Sequence, residues 1–468
     1  MTYFFETYGC EMNIAESASV EQIFISRGWT KASDVQLADL VIINTCSVRA
    51  TAETRIFGRL GFYDGLKRVR AKEPGAKTRT MEAAAEYVEK NGAIPLTLIV
   101  MGCMAERLLK SLKKDFPQID YVVGTYAKNK FGDIITEVEN GLAPQDVEEE
   151  PVYTFAETSY EEGAFSTFVP IMHGCNNFCT YCIVPYVRGR EVSRPVSEIL
   201  HEVDVLSSRG VKEITLLGQN VNSYSGKLKK NEQSVEVVNF PSLLRIISEH
   251  LDKTSSSIKW IRFESSNPKD FSDELIEVVA SDRHICKSLH VAVQHGSTRI
   301  LKKMNRKYSR EEYLTLVEKI YRNIPDVALS TDIMLGFPSE TDEDFNDVLS
   351  LMKQVQYEMA FMYYYNPREG TPAASMPEQV DIEVKKERLQ KVIDTQLSIQ
   401  AEKMQKRVGS TVTVLADIIS RDNRNELLGK TEHNHRVAFE GKPGLIGSFV
   451  KVHIDSLSGN TFRGTLVN

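Results

Sequence analysis

The densest chemistry in this chain of 468 residues is His173-Gly-Cys175-Asn-Asn-Phe-Cys179-Thr-Tyr-Cys182. Three thiols, separated by three and then two residues, sit directly after a strand-like segment at 168–172. Cysteine thiolates hold iron–sulfur clusters, normally four to a cubane. Here three are local and no fourth cysteine lies close in sequence. One iron would stay open, and an open position is where a metal site binds its substrate. The bland alternative is structural zinc, which wants a second CxxC or a histidine pair at finger spacing; neither is present. Tyr181, just before the last cysteine, would shield the cluster from solvent.

Cys10, Cys46 and Cys103 are far apart in sequence, and each alone could be a buried core thiol. Their placement argues for more. Each lies just beyond a strand-like run, in FFETYGC, LVIINTC and LIVMGC. In an open parallel sheet the carboxyl ends of the strands share one edge, where ligands bind. Three thiolates delivered there could hold a second cluster, again with one open iron. Gly9 and Gly102 permit the turns that would aim the thiols inward. Cys286, the last of the 7 cysteines, stands alone and is assigned no role.

The elements that must position these thiols fall into three regions and a linker. Residues 1–142 alternate strand-like segments (3–7, 40–44, 97–101) with helical stretches such as 16–27 and 82–91, an α/β domain with a parallel sheet. Residues 143–163 form an acidic linker carrying Asp146, Glu148, Glu149, Glu150, Glu157, Glu161 and Glu162. Residues 164–402 repeat strand then helix about six times, with strands at 168–172, 213–217, 259–263, 289–293, 328–333 and 360–364. Such a repeat closes partly on itself as an open (β/α)6 barrel. The amphipathic run 382–406 is one long helix leading out of it. Residues 403–468 hold the last region, all-β from about Val408, with strands at 411–418, 436–439 and 449–454 and turns at 441–443 and 458–460. That is the size of a small RNA-binding β-barrel.

Composition is that of a globular protein, with 42% hydrophobic and 26% charged residues. No apolar run is long enough to span a bilayer, and MTYFFETYGCEMN lacks a signal peptide's basic region and cleavage site. The expectation is a cytoplasmic protein, where 7 cysteines argue for metal or catalytic use over disulfides. The net charge of −7 is uneven: from Lys403 onward ten Lys or Arg face six Asp or Glu, leaving +4 there and −11 on the rest.

Four stretches make a family visible: Tyr8-Gly-Cys-Glu-Met-Asn13, Asn44-Thr-Cys-Ser-Val-Arg49, Gly102-Cys-Met-Ala-Glu-Arg107 and GCNNFCTYCIVPYVRGREVSRP at 174–195. Together they resemble the radical S-adenosylmethionine (SAM) methylthiotransferases, and 429–466 is similar to the TRAM RNA-binding domain that ends such chains. The resemblance implies an N-terminal α/β domain, an open radical-SAM barrel and a small C-terminal TRAM barrel. It implies two [4Fe-4S] clusters. The one on Cys175, Cys179 and Cys182 would bind SAM and, reduced by an electron-donor protein, release a 5′-deoxyadenosyl radical. That radical would take the hydrogen from C2 of an adenine. The one on Cys10, Cys46 and Cys103 would carry sulfide, methylated by a second SAM and delivered as a methylthio group. The wording of 174–195 favours the branch that acts on isopentenylated adenosine beside the tRNA anticodon. Sister branches act on threonylcarbamoyl-adenosine or a ribosomal-protein aspartate. A non-catalytic iron–sulfur protein that binds RNA or transfers electrons is the rival of another class, and it leaves the open coordination unexplained. The chain is expected to work as a monomer.

Further candidates follow from position. Gly218, Gln219, Asn220, Ser265, Ser266, Gln294 and Asp332 end barrel strands, where SAM would bind; ordinary loop polarity is the alternative. Arg188, Arg190 and Arg194 could contact tRNA phosphates or pair with Glu191 or Glu198. Lys430, His433, His435, Arg436, Lys442, Lys451 and Arg463 could form a basic face near Phe439 and Phe449, unless those rings are core. The chain departs from the family pattern at Glu11, Ala50 and His295, and in extra sequence around 62–94. His295 would alter substrate handling or merely pack.

Overall fold

The computed structural model describes residues 1–47, 50–77, 79–147, 153–231, 234–421 and 423–467. Val48 and Arg49 of the second motif, and Glu148, Glu149 and Glu150 of the acidic segment, lie outside the described residues. The chain forms two compact units, Met1–Asn176 with Ile183–Arg194, and Asn177–Cys182 with Pro195–Asn468. No described helix is long and apolar enough to cross a membrane.

The first unit is built on a parallel sheet of β1 (Thr2–Thr7), β2 (Thr30–Lys31), β3 (Leu40–Thr45), β4 (Thr97–Gly102) and β5 (Tyr121–Val123), in the order β2-β1-β3-β4-β5. Side chains alternate across such a sheet, and here both faces are covered. Val41, Ile43, Leu98 and Val100 pack on Ile56, Leu60 and Tyr63 of the helix Ala50–Arg70. Leu40, Ile42, Ile99 and Met101 pack on Val20 and Phe24 of Glu11–Ser26 and on Phe131, Ile134 and Ile135 of Phe131–Glu139. The extra sequence after Cys46 is therefore a helical layer, with a second helix Glu82–Asn91. Fully buried Arg70 ties that layer down by donating to the carbonyls of Gln36, Ala38 and Ile94. Two more elements belong to this unit. They are β6 (Ser166–Pro170) and the antiparallel pair of β7 (Met172–His173) with β8 (Val192–Ser193), which brackets the cysteine loop.

In the second unit β9 (Glu213–Leu217) is followed by the hairpin β10 (Ser225–Asn231) and β11 (Ser234–Asn239). β12 (Trp260–Phe263) runs parallel to β9, and β13 (Ser288–His290), β14 (Ala328–Leu335) and β15 (Met359–Tyr364) run parallel to one another. Parallel bridges at Ile261–Ile285 and Ser266–Val291 join the two sets. The helices Val196–Ser208, Phe240–Lys253, Asp273–Ser281, Arg310–Asn323 and Asp342–Val355 alternate with them. Reciprocal caps, Ser309 with Glu312 and Thr341 with Asp344, start the last two at the positions their sequences advertise. This is the parallel βα architecture of an open barrel. The helix Ile382–Gln405 leads to a closed five-stranded barrel of β16 (Thr411–Ile419), β17 (Glu426–Thr431), β18 (Arg436–Glu440), β19 (Phe449–Ser458) and β20 (Thr461–Leu466).

Candidate cluster sites and their surroundings

Cys10, Cys46 and Cys103 follow β1, β3 and β4, which are neighbours in the sheet. Cys10 caps the helix Glu11–Ser26, and Cys103 opens the short helix Cys103–Arg107. Two asparagines of the motifs lock the edge. Asn13 Nδ2 donates to Asn44 Oδ1 at 2.8 Å and to the Thr45 carbonyl at 3.0 Å, and Asn44 Nδ2 returns a bond to the Asn13 carbonyl at 2.9 Å. Both glycines are required. A Cβ on Gly9 would run into Asn13 and lie 3.1 Å from Cys46 Cβ. Gly102 has φ +95°, and its Cβ would meet Asn44 Oδ1 and the Thr45 carbonyl at 2.5 Å. Glu11 sits in the first turn of its helix, where the helix dipole favours an acid. Among the described residues no three such side chains converge as they would around one ion. Three sulfur donors on one sheet edge fit the thiolate ligation of an iron–sulfur cluster.

Beside these thiols lies a buried charge network that the sequence did not reveal. Arg188 Nε donates to Cys103 Sγ at 3.1 Å, while its two terminal nitrogens reach Glu16 at 2.8 and 3.2 Å. Lys128 Nζ joins Glu16 at 3.0 Å and Tyr153 Oη at 2.6 Å. Burial alone would raise the Glu16 carboxyl, but Arg188 and Lys128 outweigh it and hold the group far below the usual carboxylate range. His173 stacks on Tyr153 with ring centroids 3.5 Å apart, and burial pushes its pKa well below the usual value. Arg194 is equally enclosed, donating to the Pro170, Ala156 and Glu157 carbonyls. Each of the two arginines is 2% exposed, so burial removes Arg188 and Arg194 from phosphate contact. Arg190 alone of the three is exposed.

The second cysteine set lies on the loop between β7 and β8. Cys175 and Cys179 are buried, and Cys182 N donates to the Cys179 carbonyl in a tight turn. Phe178 adopts φ +47°, a left-handed conformation unusual for a bulky residue. The second unit grips its share of the loop. Thr180 N donates to the Met304 carbonyl and Thr180 Oγ1 to that of Lys303, while Asn305 Nδ2 holds the Phe178 carbonyl. Tyr181 packs against Ile300, Met304, Phe337 and Tyr365. Arg306 Nη1 points at Cys179 Sγ at 3.5 Å, its other nitrogens held by Tyr308 Oη and the Ala292 carbonyl. Nothing in local sequence linked Arg306 to Cys179, 127 residues earlier.

The strand-end residues divide into two kinds. Gln219 Oε1 and Ser266 Oγ are buried with no hydrogen-bond partner, at the carboxyl ends of the paired strands β9 and β12. Orphaned buried polar atoms want a ligand, and here they fit a polar cofactor such as SAM. Gly218 precedes Gln219 in the same turn. Ser265 and Gln294 have φ of +67° and +72°, left-handed strain of the sort found at binding edges. Asn220 is instead engaged by protein, donating to Asp270 and accepting from Asn267 N. Asp332 lies 3.3 Å from His290 Nε2 and 3.4 Å from Gln294 Nε2. His295 packs. It is fully buried between Glu340 Oε2 at 3.0 Å and Ser297 N at 3.0 Å, and Glu340 is held in turn by Arg388.

On the C-terminal barrel the expected basic face is smaller than its sequence implied. Lys430 turns inward to buried Glu213 at 2.6 Å, His433 to Asp326 and His435 to Glu358. Arg463 pairs with Glu426 of its own barrel, Phe439 is core, and Phe449 packs edge-on against Trp260. Arg436, Lys442 and Lys451 remain exposed.

Comparison with known proteins agrees with this architecture. The Radical SAM superfamily matches residues 169–352, the Uncharacterized protein family UPF0004 residues 2–124 and the TRAM domain residues 405–467. The chain is 50% identical to a tRNA-2-methylthio-N(6)-dimethylallyladenosine synthase of Treponema pallidum (strain Nichols), over 100% of this chain and 99% of that one. It is 49% identical to the protein so named in Treponema denticola, over 100% of both chains. For Phocaeicola vulgatus the identity is 42%, over 98% of this chain and 95% of that one. Among solved structures, the radical SAM methyltransferase TsrM from Kitasatospora setae shares the fold, with TM-score 0.53 and 14% identity over 80% of this chain and 77% of that one. The chain belongs to the radical SAM methylthiotransferase family, among relatives named tRNA-2-methylthio-N(6)-dimethylallyladenosine synthase.

Proposed function

We propose that this protein inserts a methylthio group at C2 of N6-isopentenyladenosine beside the anticodon of tRNA, using two [4Fe-4S] clusters and SAM. The observation that carries the reading is the delivery of Cys10, Cys46 and Cys103 to one edge of three adjacent parallel strands, in a chain that also bears the Cys175-Cys179-Cys182 loop. With SAM the first cluster supplies radical chemistry strong enough to break the adenine C2–H bond, and the second supplies the sulfur.

Everything else falls to this chain's own residues. Cys175, Cys179 and Cys182 would hold the first cluster, with Tyr181 closing off solvent from its side of the loop. Gln219 and Ser266 would give SAM the polar partners they now lack, supported by Gly218, Ser265, Gln294 and Asp332. Asn220 holds the Asn267 turn in place and so positions Ser266. Arg190, Arg436, Lys442 and Lys451 would meet tRNA phosphates, which supply affinity without reading sequence. The base itself must be splayed out of its loop to reach a buried edge. The enzyme would act as a cytoplasmic monomer served by a separate electron-donor protein.

Anaerobic turnover of the reconstituted protein with SAM, dithionite and isopentenylated tRNA tests this. A methylthio mass increase on the modified adenosine, with 5′-deoxyadenosine formed, is the expected result. SAM cleavage without that nucleoside would move the substrate to a sister branch. No cleavage by protein carrying its full iron would overturn the enzyme reading.

A further inference from the structure

Resting on the two-cluster reading above, we propose that Arg188 is a positioning residue for the second cluster, its fixed charge raising the reduction potential of the iron held by Cys10, Cys46 and Cys103. The geometry is specific. A guanidinium offers five N–H donors in a planar fork. Arg188 turns its terminal pair onto Glu16 and leaves Nε–H, on the remaining edge, aimed at Cys103 Sγ at 3.1 Å. Glu16 thereby fixes the plane of the fork, and Asn13 and Asn44 fix the strand edge it faces.

The charge balance points the same way. Buried Arg188 and partly buried Lys128 are two cations facing one carboxylate, Glu16. A buried charge without compensation is costly, so one positive charge remains to be answered. The cysteines beside it, ionised as cluster ligands, answer it. Electrostatic effects are strongest where water is excluded, and Arg188, Glu16 and Cys103 are each at most 3% exposed. A cation hydrogen-bonded to a ligand sulfur stabilises the more negative, reduced state of the metal centre. Hydrogen bonds to sulfur and local charge are among the factors that set iron–sulfur potentials. Arg188 is not part of the cysteine motif that holds the second cluster. It lies on the segment that follows the other cysteine set, 85 residues from Cys103, and reaches this edge through the fold.

The test isolates the second cluster by replacing Cys175, Cys179 and Cys182 with alanine and reconstituting the full chain anaerobically. Iron is counted, and the one-electron midpoint is measured by mediated dithionite titration read by electron paramagnetic resonance. Arg188→Gln should lower the midpoint by at least a tenfold change in the reduction equilibrium, about 59 mV. Glu16→Gln should move it the opposite way, and Arg188→Lys, which keeps the charge, should stay near the parent. A merely structural role would not reverse sign between Arg188→Gln and Glu16→Gln. If Arg188→Gln holds no iron, the other two variants decide: a raised midpoint in Glu16→Gln with an unmoved one in Arg188→Lys sustains the proposal. Iron present with an unmoved midpoint in Glu16→Gln overturns it while leaving the two-cluster reading intact. No iron in the triple-alanine parent overturns both.

Discussion

Each cysteine set has its own arginine, Arg188 at Cys103 and Arg306 at Cys179, and each arginine is oriented by partners that leave one N–H for sulfur. Such outer partners of metal ligands typically matter 10–100-fold for metal affinity or activity. Arg306→Gln should therefore lower SAM cleavage by about tenfold or more, measured as 5′-deoxyadenosine formed per iron under dithionite. Unchanged cleavage at full iron content would show that the contact is incidental. Gly102 is the corresponding backbone position. Its φ of +95° and the 2.5 Å approach of a Cβ to Asn44 and Thr45 leave no room for a side chain. Gly102→Ala should cost on the order of 1–3 kcal/mol and shift Cys103. Iron held by Cys10, Cys46 and Cys103 should fall, while a variant lacking those three cysteines shows no further loss.

At the scale of elements, the C-terminal barrel is fastened to the parallel barrel by ion pairs. Arg262 donates to the Thr431 and Glu432 carbonyls while paired with Glu213, and Glu358 receives His435, Lys403 and Arg407. Burial pushes the Glu358 carboxyl up, but the close approach of His435 at 2.8 Å and the charges of Lys403 and Arg407 outweigh it and hold it at about 2, against 4.5 when unfolded. Between those values the unfolded chain binds the proton and the folded one does not, so stability rises with pH across that window. The contribution is full above 4.5 and lost as pH falls toward 2. The melting-temperature gap between the parent and Glu358→Gln should accordingly shrink through that window; a gap constant with pH would count against the clamp. Two strands of this barrel, β17 and β20, had no legible pattern because each carries a glycine mid-strand. A Cβ on Gly429 would meet the Leu415 carbonyl at 2.5 Å, and one on Gly464 would strike that of His453. The tight closure that demands glycine also erases the alternation by which strands are read.

For the molecule as a whole, a net charge of −7 leaves RNA binding to local patches. Arg190→Ala and Lys442→Ala should each weaken tRNA binding about equally for all sequences and reduce the salt slope by about 1, checked by filter binding across a salt series. Lys430→Ala should leave the slope unchanged, since its ammonium faces Glu213. The sequence by itself singled out the six cysteines proposed here as cluster ligands, and it determined the parallel strands that deliver three of them, the three kinds of region and the family. Those features are local: a spacing, an apolar run, a turn glycine, a motif. Only the tertiary structure decided which charged residues face solvent. Arg188, Arg194 and Lys430 look identical in sequence to surface cations, yet their partners lie tens to hundreds of residues away, as Glu16 lies 172 from Arg188. Hydropathy sets which residue types tend to be buried, but an ion pair is buried only where the fold supplies the opposite charge.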